Sequence, residues 1–306
     1  MDAIQSNRSD PSYSGKSPIL IGASSEPALA QAVRTVEAFG WRIGGTMPLE
    51  DARERIARQV SASAIWIELD RDCGGPMDDL LDTLRTGVAD GRYAAVVSTI
   101  AALVDPVAAR LDEPAIELIV DADDAERAAA LAVAASRAAM PRRLSDVASD
   151  QNAARLRQLS DEVGRIAATL ARLSANPPAP SRPVEPAKSE EIPDVSADTV
   201  RSAIRARRLR ARFFPEELFA DPAWDMLLDL LQAEIAQLRV PVSSLCIAAA
   251  VPATTALRWL KTLVQQGLFV RRADPHDGRR VFVELAPDTS QALRRYFAEV
   301  GKVAAI

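Results

Sequence analysis

Histidine is nearly missing from this 306-residue chain, which has one, His276, and only two cysteines, Cys73 and Cys246, far apart and with no CxxC pair. Those counts argue against structural zinc and against a disulfide framework. No run of residues approaches the ~18 to 20 apolar positions of a membrane span. The opening stretch, MDAIQSNRSDPSYSGKS, has neither the basic nor the apolar region of a signal peptide, so a cytoplasmic protein with no membrane partner is expected. Enzymatic signatures are missing too: there is no GxGxxG, no GxxxxGK[ST], no GxSxG and no HExxH. The expectation is a non-enzyme with no cofactor, no catalytic residues and no metal. Cys73 lies in RDCGGPMDD, where Asp70, Asp72, Asp78 and Asp79 oppose a thiolate, so it reads as incidental.

What is present is length, apolar content and a lopsided charge. At 306 residues and 48% hydrophobic composition, two domains are the natural division. The overall charge of −5 hides three blocks. Residues 1–140 hold 13 Lys+Arg against 22 Asp+Glu, or −9; residues 141–197 hold 8 of each; residues 198–306 hold 16 against 12, or +4. An acidic front and a basic back point to nucleic-acid contact in the C-terminal part.

The first ~125 residues alternate short apolar runs with amphipathic stretches. Strands are expected at 18–23, 41–46, 64–69, 93–98 and 115–120, and helices near 27–39, 49–60, 77–89, 100–111 and 124–139. Five βα repeats with nearly continuous apolar strands predict a parallel sheet covered on both faces, a doubly wound flavodoxin-like domain.

From Asn152 the pattern becomes heptad, with Leu156, Leu159, Val163, Ile166, Leu170 and Leu173 at alternating steps of three and four. This reads as a coiled-coil seam or as one helix packed on its own core. ANPPAPSRPVEPAKSEEIPD (175–194) follows, with six prolines, and reads as a semi-extended tether. A helix over about 198–212 carries Arg201, Arg205, Arg208 and Arg212 on one face, either a solvated stripe or a surface for a partner or DNA backbone. A second helix over 221–238 begins with Asp221 as N-cap and Pro222 in its first turn, and its Trp224, Leu227, Leu228, Leu231 and Ile235 form a core or dimer face.

VSSLCIAAAVPATTALRWLKTLVQQGLFVRRADPHDGRRVFVEL changes character at Gly267. Before it, a short helix (242–249), a turn at Ala250 and Val251, and a second helix ending at Gln266 form a helix-turn-helix. In the second helix Ala256, Leu260, Leu263 and Val264 face inward. Thr254, Thr255, Arg258 and Thr262 face outward, where a recognition helix meets base edges. Ser243 and Lys261 complete the candidate DNA-contacting set. After Gly267, the strands 268–272 and 279–285 flank the turn ADPHDG, with Arg271, Arg272, Arg279 and Arg280 near the tip and His276 in the turn. A tip with no large apolar side chain cannot be buried on its own domain, so it projects as a wing whose arginines suit a groove or its phosphates.

These residues resemble the winged helix-turn-helix of the MarR family of bacterial transcription regulators, over roughly 201–301. The match includes the Gly-Leu that ends the second helix and the D-x-x-D-x-R-R of Asp274, Asp277, Arg279 and Arg280. The resemblance implies that Asp274 braces Arg280, that Arg279 lies nearest DNA, and that dimers form through 198–213 and 288–300. The turn position often held by glycine is Ala250, a departure.

The first domain resembles a response-regulator receiver. Asp70, after the third strand, falls where receivers carry the phosphoacceptor, and Ser98 or Thr99 falls at the hydroxyl position after the fourth. The acidic pair that would hold Mg²⁺ is replaced by Ala23, Ser24, Ser25 and Glu26, and the lysine expected after the fifth strand by Asp121. Phosphoryl transfer needs those charges, so the resemblance implies a degenerate module for protein contact, with Asp70 a vestigial phosphoacceptor.

The expected organisation is multidomain, α/β plus α+β: a disordered start (1–16), a receiver-like doubly wound domain (17–140), a coiled-coil helix (141–174), a Pro-rich linker (175–197) and a winged helix-turn-helix domain (198–306). Its expected function is that of a homodimeric, nucleoid-associated regulator on double-stranded DNA, with a protein partner at the receiver-like domain. A scaffold whose winged helix binds protein, or a phosphorylation-controlled regulator, are the alternatives.

Overall fold

Five short apolar strands and the helices between them build the N-terminal unit of the computed structural model, which describes residues 18–58, 64–139 and 193–303. The strands are β1 (Ile19–Ala23), β2 (Ile43–Pro48), β3 (Ala64–Leu69), β4 (Ala94–Thr99) and β5 (Ile116–Val120). All pair in parallel, in the order β2-β1-β3-β4-β5. That is the flavodoxin-like order.

Side chains alternate between two faces along each strand, and the helices divide accordingly. On one face Leu20, Ile65, Ile67, Ala95 and Val97 meet α2 (Leu49–Ala57), α3 (Gly75–Ala89) and α4 (Val104–Arg110), the last preceded by a 3₁₀ turn at Ala101–Leu103. On the other, Ile19, Ile21, Trp66 and Val96 meet α1 (Glu26–Ala38) and α5 (Asp124–Ala139). One expectation needs correction. β2 is not buried on both faces, because it is the sheet's edge and only Met47 along it is fully covered.

The chain divides into two compact units, Met1–Ala138 with Asp274–Arg280, and Ala139–Ala273 with Val281–Ile306. The expected disordered start (1–16) and coiled-coil helix (141–174) lie outside the described residues, as does the linker (175–197) up to residue 192. The C-terminal elements are α6 (Ala197–Leu209), continued by a 3₁₀ turn at Arg210–Arg212, and α7 (Pro222–Ile235). Then come β6 (Val240–Pro241), α8 (Val242–Ala248), α9 (Ala253–Gln265), β7 (Phe269–Ala273), β8 (Val281–Leu285) and α10 (Pro287–Val303). Asp221 caps α7 by accepting the Trp224 N–H at 3.2 Å. The core beneath the hairpin contains Met226, Leu228 and Leu231 of α7, Leu245 of α8, Ala256, Leu260 and Leu263 of α9, and Phe269 and Val283 of the strands. β7 and β8 form an antiparallel hairpin, and β6 pairs with the free side of β8, making three strands where two were expected. Among the described residues no single helix is long and apolar enough to cross a membrane.

Candidate nucleic-acid interface

α8 and α9 cross at 108° over a four-residue turn, Ala249–Pro252, within the ~90–120° of a helix-turn-helix. Ala250 in that turn has φ +52°, the left-handed region that glycine enters freely and other L-residues enter at a cost. The alanine therefore takes the conformation for which the family's usual residue is suited. At the far end of α9, Gly267 has φ +73°. Its N–H reaches the Val264 carbonyl at 3.0 Å and the Leu268 N–H reaches that of Leu263 at 2.9 Å, a Schellman termination that turns the chain directly into β7.

Along α9, Ala256, Leu257, Leu260 and Leu263 are buried and Val264 is half-buried. On the outer side Arg258 is exposed, and Thr255, Lys261 and Thr262 are half-buried. The Thr262 hydroxyl donates back to the Arg258 carbonyl at 3.0 Å, so it is engaged within the helix. Thr254 departs from the expected outward set, being only 2% exposed. It lies three residues before the buried Leu257, on the same side of the helix. Trp259 was missing from that set and stands on the outer side, 40% exposed. Its sequence signal was the four-residue step from Thr255. Ser243 is half-buried in the first turn of α8.

The hairpin tip is organised by two aspartates. The Asp274 carboxylate accepts the His276 backbone N–H at 2.9 Å, and Asp277 accepts that of Arg279 at 2.9 Å. The two sides are joined where the Asp274 N–H meets the Arg280 carbonyl at 3.0 Å. The Arg280 guanidinium pairs with Asp277 at 3.2 Å, in place of the Asp274 partner that the family resemblance implied. Asp274 thus braces the turn through the His276 N–H and the Arg280 carbonyl. His276 and Arg280 are exposed and Arg279 is half-buried.

Beside this unit, α6 holds α7 through Arg207, whose Nε and Nη2 grip the two oxygens of Asp225 at 2.6 and 3.0 Å. Hydrogen bonding to Asp225, against the opposing effect of partial burial, raises the Arg207 pKa above its ordinary value. Arg207, Arg208, Arg210, Phe219 and Asp225 line a solvent-open cavity that reaches Ala248 and Ala250 of the helix-turn-helix. No sequence pattern announced it, because its residues come from segments up to 43 positions apart.

At the other candidate site, Asp70 follows β3 at the point where the strand order reverses between β1 and β3. Ser24 Oγ donates to Asp70 Oδ1 at 2.7 Å and accepts the Asp70 N–H at 2.9 Å, while Ser25 Oγ donates to Oδ2. Burial pushes the carboxyl up, but the bonds from Ser25 and Ser24 outweigh it and hold the pKa below the ordinary aspartate value. Ser98 donates to Glu68 at 3.0 Å, and the Thr99 hydroxyl is buried. Asp121 accepts the Ala101 N–H at 3.1 Å. The Mg²⁺ of receiver proteins does not fit these residues: serines occupy both Asp70 oxygens, and among the described residues no group of three or more His, Cys, Asp or Glu could hold a metal.

No protein-family model and no curated protein matches the chain. Among solved structures it is similar to BpsR of Bordetella bronchiseptica, whose DNA binding is regulated by 6-hydroxynicotinic acid, at 22% identity over 34% of this chain and 77% of that one, with a TM-score of 0.22. The adhesin competence repressor AdcR of Streptococcus pyogenes is similar at 14% identity over 37% of this chain and 78% of its own, TM-score 0.23. The transcriptional regulator Tm0710 of Thermotoga maritima is similar at 19% identity over 35% and 77%, TM-score 0.22. At such scores these likenesses establish nothing about this chain's activity.

Proposed function

We propose that this chain is a regulator that binds double-stranded DNA through α9 and the β7–β8 hairpin, of the MarR-like kind its sequence resembles. The observation that carries the reading is the pairing of a 108° helix-turn-helix with an adjacent hairpin whose tip is held by aspartates and ends in arginines. A short helix with a buried inner face and Arg258 outward suits base edges, and cationic side chains at the tip suit phosphates. The net +4 of residues 198–306 agrees in sign. Mobility shift of genomic fragments is the direct test. Retarded fragments that unrelated competitor DNA cannot displace are expected, and no retardation at any salt concentration sinks the reading.

Dimerisation belongs to the same proposal. Leu209, Phe213 and Phe214, in and after α6, and Tyr296 and Val300 of α10 are exposed, and a soluble monomer rarely keeps so much apolar surface in water. A second copy covering them would present two α9 helices to half-sites about one turn, ~10 bp, apart. The N-terminal unit is proposed as a protein-contact module that performs no phosphoryl transfer, because both Asp70 oxygens are taken by serine hydroxyls. Incubation with acetyl phosphate and Mg²⁺ should leave the protein mass unchanged.

A further inference from the structure

The chain has four tryptophans. Trp66 is fully buried, its indole N–H donating to Glu68 at 2.9 Å. Trp224 is half-buried, edge-on to Tyr296 with ring centroids 5.0 Å apart, and Trp41 is half-buried beside the core of the first unit. Trp259 is the exposed one, at 40%, and it lies on the outer strip of α9, four residues after Thr255 and three before Thr262. Positions three and four apart share a helix face, so the indole stands in the same row as the two threonines and next to Arg258.

A side chain that can bury 150–250 Å² gains nothing from water. Nothing in the inner packing of α9 needs it, since Ala256, Leu260 and Leu263 fill that side. On a helix that enters the major groove, the one apolar group a base edge offers is the C5-methyl of thymine, which cytosine lacks. We infer that Trp259 is a specificity-determining residue that lays its indole face against thymine methyls in the bound duplex. This rests on the reading of α9 as the DNA-contacting helix. It adds a base class to it: Arg258 selects hydrogen-bonding edges, and Trp259 selects the methylated one.

The test uses the full chain and a duplex enriched by it from a random-sequence pool, with each thymine in turn replaced by deoxyuridine. For the unaltered protein, removing the methyl at one or two positions should weaken binding about 3- to 10-fold, while Trp259→Ala should bind the thymine and uracil duplexes equally, the signature of a coupled pair. Trp259→Phe keeps a ring and should keep the discrimination. For Trp259→Ala a loss larger on the enriched duplex than on unrelated duplex DNA is expected, and an equal loss on all sequences overturns the inference. So does equal sensitivity to uracil with and without the indole, or no thymine position at which the methyl matters. Failure to enrich any duplex would instead overturn the underlying DNA-binding reading, so the two failures are distinguishable.

Discussion

The guanidinium of Arg127, in the first turns of α5, meets both carboxylate oxygens of Glu68 on β3 at 2.7 and 2.8 Å. Both residues are buried, at 6% and 5% exposure, and the remaining capacity of the carboxylate is filled by the Trp66 indole and the Ser98 hydroxyl. Arg127 also spends its Nε on the Ala122 carbonyl at 2.9 Å. A buried charge left without its partner is costly, so Arg127→Ala or Glu68→Ala should each destabilise the N-terminal unit by about 3–5 kcal/mol. Urea unfolding followed by circular dichroism reads this. Single and double variants equal within error would show a strongly coupled pair, and a loss under ~1 kcal/mol would mean that solvent already reaches it.

Ala250 gives a change in the opposite direction. At φ +52° the methyl is strained, and glycine relieves the strain while adding freedom to the unfolded chain. Ala250→Gly should therefore stabilise the C-terminal unit by about 0.5–1 kcal/mol, read as a higher urea midpoint with an unchanged slope.

Arg258→Ala should weaken binding to an enriched duplex by about 1–3 kcal/mol and relax base preference at one position. A titration against single-base variants checks it. Equal losses on all sequences would place this arginine on phosphate.

Arg279→Ala should lower the magnitude of the salt slope of binding by about one. Affinities measured from 50 to 200 mM salt test it, and an unchanged slope removes this side chain from the phosphate contacts.

Asp229 on α7 links stability to pH. Burial raises its pKa above 3.8, against the lowering effect of Arg208. A carboxyl whose folded pKa is raised contributes stability below 3.8 and loses it as pH climbs through the folded value. Asp229→Asn should consequently raise the thermal midpoint at pH 7, with the gain shrinking as pH falls toward 4. A gain that is constant with pH would exclude ionisation as its source.

Much of this architecture was legible before any coordinates. β3 falls where its run AIWIEL was read, because buried parallel strands leave an unbroken apolar signature. β2 was read at 41–46 and lies at Ile43–Pro48. Gly44 and Gly45 carry no apolar signal, and an edge strand has only one covered side. β6, at two residues, is too short to show a period at all. At the candidate interface Arg258 is outward as read but Thr254 is not, because it borders the covered side, three residues before the buried Leu257. Trp259 went unread because large apolar residues are usually assigned to a core. The Arg280–Asp277 pair depends on how the tip folds between its two aspartates, which spacing alone does not reveal.

The pairing of Val240 with Val283 and of Pro241 with Phe282 ends one residue before α8 begins. β6 is therefore bonded to β8 of the hairpin while running straight on into the two-helix element. A slip of one residue along that short ladder would shift the entry to α8 against β8 by ~3.3 Å and turn its side chains to the other face. The start of α8 is thus tied to β8 by main-chain bonds, which no exchange of side chains on α9 removes.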